Sequence, residues 1–123
     1  MFGQSKLHAN FSVDDLSAAK KFYTEKLGLK VVRDREGEIT LEAGSGTRVN
    51  IYEKSDHQAW NATVLGIETD DVKGAVAQLN SVGITVEKLE GTDEDGVMSH
   101  PEWGEAAWFK DPAGNWICIS HLP

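Results

Sequence analysis

Residues 8–31 read HANFSVDDLSAAKKFYTEKLGLKV, and residues 64–86 read VLGIETDDVKGAVAQLNSVGITV. Phe11 of the first stretch aligns with Ile67 of the second, 56 positions later, and each stretch carries an Asp-Asp pair three residues after that position. The spacing falls to 55 positions after one residue is dropped. A chain that aligns with itself over such a length contains two copies of one structural unit.

Each copy begins with an alternating strand and continues into a helix. In the first copy Asp14 or Asp15 caps the helix, and Gly28 supplies the left-handed stop. Asp70 or Asp71 and then Gly83 repeat this arrangement in the second copy.

Three further strand candidates follow each helix. They are KVVRDR, EITLEA and RVNIYEK in the first copy, and TVEKLE, EAAWFK and NWICIS in the second. Residues 91–104, GTDEDGVMSHPEWG, form the longest irregular stretch and predict a surface loop that covers a site. The pattern therefore predicts an α+β fold of two tandem βαβββ modules, about 5–55 and about 61–123, within one domain spanning residues 1–123.

Composition limits the partners. Twenty acidic against twelve basic residues give a net charge of -8, which argues against nucleic acid and anionic membranes and favours a cationic ligand. The chain has no apolar run long enough to span a membrane and no secretory signal pattern, so a soluble, cytoplasmic protein is expected. The single cysteine, Cys118, fits a reducing compartment.

The motifs FYTEKLGL and DPAGN, set in this duplicated unit, resemble the vicinal oxygen chelate superfamily. That superfamily includes glyoxalases, bleomycin-resistance proteins and extradiol dioxygenases, and the resemblance covers essentially the whole chain. It implies that the two modules form a curved mixed sheet around a cavity. The resemblance does not determine an activity, because members of this superfamily catalyse different reactions or only bind a drug.

The resemblance also implies four site positions, two in each module. Metal-dependent members hold a divalent ion there with His, Glu or similar ligands. In this sequence the positions fall on His8, Asn50, Val64 and Cys118. Valine cannot ligate and a neutral amide is a poor substitute for a carboxylate, so no metal and no cofactor is expected. The alternative is a divalent metal such as zinc, held by His8 and Cys118.

Alternation along the strands adds further candidates for a ligand-binding pocket. Glu68 is a general base, a cation acceptor or simply a solvated acid at the end of its strand. Tyr52 replaces Asn50 if the strand register shifts by two residues, and the tryptophans offer stacking surfaces for a flat or cationic ligand. His57, His100 and His121 are expected in loops or at the tail, exposed to solvent. The additional candidates are Asn10, Arg48, Tyr52, Glu68, Trp108 and Trp116.

Two functions from different classes follow. The first is a metal-independent small-molecule binder of the drug-resistance type that sequesters a cationic or aromatic compound. The ending EWGEAAWFKDPAGN, which is similar to that of bleomycin-resistance proteins, favours it and implies a homodimer. The second is a glyoxalase-like lyase or isomerase, or a dioxygenase, with a centre rebuilt from His8, Tyr52, Glu68 and Cys118; no catalytic residue is assigned.

Overall fold

Each copy of the repeat forms its own four-stranded mixed sheet in the computed structural model, which describes residues 1–122. The chain divides into two units, Met1–Gln58 and Ala59–Pro123. The first unit contains β1 (Ala9–Val13), α1 (Leu16–Lys21), β2 (Lys30–Arg35), β3 (Glu38–Glu42) and β4 (Arg48–Glu53). The second contains β5 (Thr63–Glu68), α2 (Val72–Ser81), β6 (Met98–His100), β7 (Gly104–Lys110) and β8 (Trp116–His121).

The two sheets have the same strand order. The first runs β1-β4-β3-β2 and the second β5-β8-β7-β6. In each sheet the first strand pairs in parallel with the last strand, and the remaining pairs are antiparallel. The helix carries the chain across to the far edge of the sheet, and short hairpins then bring it back beside the first strand. This topology confirms the prediction of an α+β fold with two βαβββ modules.

Both helices begin directly after the second aspartate of the Asp-Asp pair, which caps them. The Asp15 carboxylate accepts from the amide of Ala18 at 3.0 Å, and the Asp71 carboxylate accepts from the amide of Gly74 at 2.9 Å. These bonds satisfy amides that have no partner within the helix. The helix α1 continues as a π-helical turn, Phe22–Lys26, before Gly28 takes a φ of 75°.

The apolar face of each sheet is the one that its own helix covers. Alternation along β1 and β4 puts Phe11, Val13 and Ile51 on the buried face. The fully buried Tyr23 ring lies 5.9 Å from that of Phe11. In the second unit Phe109, Ile117 and Ile119 fill the same role together with Val72, Val76 and Leu79 of α2. The opposite faces carry the polar residues, and these faces hold the candidate site.

The edge strand of the second sheet lies outside the segment predicted for it. Only Val86 of TVEKLE bridges to β7, at Phe109, and the neighbouring amide of Glu87 donates to the carbonyl of Trp108 at 2.8 Å. The edge strand is instead β6, which lies inside the segment 91–104 predicted as a loop. Cross-strand pairing with residues 104–106 decided this assignment, and local composition carries no signal for it. Neither helix of the described chain has the length and apolarity needed to cross a membrane.

Candidate functional site

The polar face of the first sheet carries a hydrogen-bonded network centred on Asn50. Asn10, Asn50 and Thr40 lie opposite one another on β1, β4 and β3. The buried Thr40 hydroxyl donates to Oδ1 of Asn50 at 2.7 Å. The amide nitrogens of Asn10 and Asn50 each lie 3.3 Å from Nδ1 of His8. Three of the sequence-predicted residues, His8, Asn10 and Asn50, are therefore brought together.

This network determines which nitrogen of His8 carries the proton. A side-chain amide nitrogen only donates, so Nδ1 of His8 accepts from both neighbours. A neutral imidazole with an accepting Nδ1 holds its proton on Nε2. The exposed edge of His8 therefore presents an N–H donor to any molecule on this face.

The neighbouring rungs of the same face hold the other first-unit candidates. Arg48 pairs with Glu42 at 2.9 Å, so its charge is largely balanced within the sheet. Tyr52 is exposed and lies opposite Ser12 rather than beside His8. Ser12 hydrogen-bonds to Nδ1 of His57 at 2.6 Å. His57 is thus half-buried against the polar face, and the expectation of a solvent-exposed loop histidine is wrong because a partner 45 residues away holds it.

The face of the second sheet opposite its helix carries aromatic side chains and has open space at Gly66. Cys118 lies between Gly66 of β5 and Trp108 of β7. A Cβ atom at Gly66 would meet no heavy atom within 4 Å. The half-buried Trp108 ring and the bare backbone of Gly66 therefore border the half-buried thiol of Cys118 on opposite sides.

An irregularity in β5 adds Thr63 to this face. The register between β5 and β8 shifts between Thr63 and Leu65, so simple alternation fails there. The indole N–H of Trp108 donates to the hydroxyl of Thr63 at 3.3 Å. Val64 lies within the shift and is half-buried. The sequence pattern missed Thr63, because a bulge depends on the partner strand and leaves no periodic signal.

Trp116 and Lys110 lie opposite each other at the next rung of the sheet. The Lys110 ammonium is 4.6 Å from the centre of the Trp116 ring, a cation-π contact. We call this part of the face the aromatic shelf. It consists of Thr63, Gly66, Trp108, Lys110, Trp116 and Cys118.

Glu68 lies at the other end of the same sheet face. It is exposed and sits opposite Ser120, where β5 and β8 end together. An open groove of about 570 Å³ occupies this end, lined by Glu68, Thr69, Asp70, Ser120, His121 and Leu122. Of the alternatives stated for Glu68, this position matches a solvated acid at the end of its strand.

The donors in both units fit a divalent metal ion poorly. In the first unit Nδ1 of His8 is occupied by amide donors and Nε2 keeps its proton, while Asn50 is neutral. In the second, burial raises the pKa of the Cys118 thiol above its ordinary value, which disfavours the thiolate that binds zinc. Across residues 1–122 no group of three or more His, Cys, Asp or Glu side chains is placed to hold a metal ion.

Comparison with known proteins agrees with this fold. The family model for the Glyoxalase/Bleomycin resistance protein/Dioxygenase superfamily matches residues 7–119. The chain is 30% identical to the uncharacterized protein YetH of Bacillus subtilis (strain 168) over 112 residues, which cover 84% of this chain and 86% of YetH.

Two solved structures share the fold across nearly their whole length. TnmS3, an antibiotic binding protein from Streptomyces sp. CB03234, has a TM-score of 0.73 and 26% identity, with 98% of each chain covered. A glyoxalase family protein from Enterococcus faecalis has a TM-score of 0.71 and 25% identity, with 98% of this chain and 99% of that chain covered. The duplicated modules, the family-model match and these relatives together establish that the chain belongs to the glyoxalase/bleomycin resistance/dioxygenase superfamily, the vicinal oxygen chelate group.

Proposed function

We propose that this protein binds a planar aromatic organic molecule on the aromatic shelf and acts by binding it, without a resident metal ion. The observation that supports this proposal is the row formed by Gly66, Cys118 and Trp108, in which only Cys118 separates the open space at Gly66 from an indole ring. Aromatic side chains bind flat ligands by stacking, and the absence of a side chain at Gly66 leaves room for the ligand.

The donor chemistry supports a binding function over metal chemistry. The first sheet offers amides, a hydroxyl and the Nε2–H of His8, which suit hydrogen bonding to an organic ligand. The shelf offers rings and a thiol whose pKa is raised. The structural likeness to TnmS3, an antibiotic binding protein, points in the same direction.

A substitution that fills the open space at Gly66 tests the proposal without disturbing the fold. Gly66 is on an edge strand, lacks a positive φ and has free space at its Cβ position, so Gly66→Val introduces a residue that strands favour. We expect Gly66→Val to retain the unfolding midpoint and to abolish quenching of tryptophan fluorescence by planar aromatic compounds. Trp103→Leu is the control, because Trp103 is 69% exposed and stacks on His100 rather than on the shelf.

Two outcomes would overturn the proposal. One is the absence of binding by every member of a panel of planar aromatic compounds to the unmodified protein, measured by isothermal titration calorimetry. The other is near-stoichiometric zinc, nickel or iron in protein purified without a chelator or a metal-affinity tag. The second outcome would favour the glyoxalase-like lyase or dioxygenase.

We also propose a cytoplasmic homodimer. The support is the family membership and the lone cysteine, which suits a reducing compartment. Sedimentation equilibrium across a concentration series tests the dimer, and a single monomeric species at every concentration would overturn it. Cell fractionation tests the compartment.

A further inference from the structure

The aromatic shelf contains a lysine ammonium without an acidic partner. Among residues 1–122 Lys110 makes no ion pair. The lysines that do pair with carboxylates are Lys20, Lys54 and Lys73. Its ammonium lies over the Trp116 ring, which fixes it at one end of the shelf. A group held in place before binding loses less conformational entropy when a ligand arrives.

The charged side chain of the shelf is the Lys110 ammonium, a cation, although the whole chain carries -8. The other shelf residues are aromatic, a glycine, a threonine and a thiol. The nearest acid on the same face is Glu68, opposite Ser120, and Ser120 is four residues along β8 from Trp116. Four strand residues span about 13 Å, which exceeds the Debye length of about 8 Å at physiological salt, so Glu68 is screened from the Lys110 end of the shelf and lies nearer its Gly66 end. The charge that a bound molecule meets at this end is therefore that of Lys110.

The stacking surface and the cation lie side by side. Trp108 and Lys110 are two residues apart on β7, so their side chains leave the same face of the strand. One face of Trp116 is covered by Lys110, whereas the half-buried Trp108 is separated from the open space at Gly66 only by Cys118. A ring stacked on Trp108 thus places a substituent within reach of the ammonium.

We infer that the shelf selects an aromatic anion, a planar ring system that carries a carboxylate, sulfonate or phenolate toward Lys110. This inference rests on the proposed binding function and reverses the preference for cations that the net charge predicts. Overall charge acts at long range and is screened by salt, whereas an ammonium in direct contact with the ligand decides which charged group is accepted.

Three probes that share a naphthalene ring and differ in charge test the inference. Isothermal titration calorimetry compares 2-naphthoate, 2-naphthamide and 2-naphthylmethylammonium on the unmodified protein. We expect 2-naphthoate to bind about tenfold more tightly than 2-naphthamide and the ammonium probe to bind weakest. Raising the salt concentration should weaken the binding of 2-naphthoate alone.

Variants then assign the effect to one residue. Lys110→Met keeps the length of the side chain and removes the charge, so it should abolish the preference for 2-naphthoate over 2-naphthamide. Lys110→Arg should retain the preference. Lys88→Met is the matched control, because Lys88 is exposed in the same unit and lies outside the shelf.

The outcomes separate the two proposals. Equal affinity for the three probes, tightest binding of the ammonium probe, or an unchanged preference in Lys110→Met would overturn the inference while the binding function stands. Failure of all three probes to bind the unmodified protein would overturn the binding function and the inference with it.

Discussion

The amide nitrogen of Asn50 lies 3.3 Å from Nδ1 of His8, although 42 residues separate them in the chain. The Thr40 hydroxyl holds the Asn50 side chain from the other side at 2.7 Å. Together these contacts orient an imidazole that would otherwise rotate freely at the exposed end of β1. His8 is therefore a positioned hydrogen-bond donor on the polar face of the first sheet.

The first prediction concerns the tautomer of His8. Long-range proton–nitrogen NMR spectra of the neutral ring should show the proton on Nε2, because Nδ1 accepts from Asn10 and Asn50. Replacing Asn50→Leu should reduce the population of that tautomer. His121, which is exposed at the end of β8, is the internal reference for an unconstrained ring. A dominant Nδ1–H signal for His8 would contradict the network.

The second prediction concerns the cap of α2. Alanine stabilises a helix relative to glycine by about 1 kcal/mol, so Gly74→Ala would ordinarily raise the free energy of unfolding. Here a Cβ atom on Gly74 would overlap the Asp71 carboxylate, most severely at Oδ2. The substitution should displace the cap and cancel most of the gain in unfolding free energy.

A double-mutant cycle isolates that interaction. In an Asp71→Ala background the cap is already lost at a cost of about 1 kcal/mol, and Gly74→Ala should then stabilise by about 1 kcal/mol. Asp70→Ala is the control, since Asp70 is exposed beside the cap residue and is expected to change stability by less than about 0.5 kcal/mol. Equal effects of Gly74→Ala in both backgrounds, measured by urea denaturation, would refute the predicted conflict.

The third prediction concerns Cys118. Burial raises the pKa of its thiol, so the folded protein holds this proton to a higher pH than the unfolded chain does. The thiol stabilises the fold below the ordinary thiol pKa of about 8.5, and this contribution falls as pH rises above that value.

Comparison with Cys118→Ala reveals the effect. Between pH 7 and pH 10 the unfolding free energy of the unmodified protein should fall more than that of Cys118→Ala. The reaction of the folded thiol with a disulfide reagent at pH 8 should also be slower than that of the urea-unfolded chain. Parallel pH profiles for the two proteins would show that the burial has no such consequence.

The fourth prediction concerns the turn before β8. The Asp111 carboxylate is buried and accepts from the amides of Ala113 and Asn115 at 3.0 and 2.8 Å and from Nδ2 of Asn115 at 3.0 Å. Asp111→Ala leaves these donors without their acceptor and should lower the unfolding free energy by about 2 to 4 kcal/mol. The exposed Asp95 provides the control, because among the described residues no hydrogen bond is accepted by its carboxylate. A loss as small as that of the control would contradict the role of Asp111.

Much of the fold follows from local pattern. The repeated Asp-Asp pair, the helical spacing after it and the glycine at its end predicted both helices and their capping. The pattern does not distinguish which aspartate of each pair caps the helix. The side-chain hydrogen bonds identify Asp15 and Asp71. Strand alternation also placed Cys118 and Asn50 on the polar faces, opposite the residues that pack against the helices.

Other parts of the site depended on partners distant in the chain. The shift between Thr63 and Leu65 brings Thr63 to Trp108, and pairing with β7 makes an edge strand of residues 98–100. His57 reaches Ser12 in the same way. The sequence alone determined the two modules, because periodicity and capping act within a few residues. Tertiary structure alone decided the direction of His8, the composition of the shelf and the local charge at Lys110, because strand register and side-chain contacts arise only when distant segments pair.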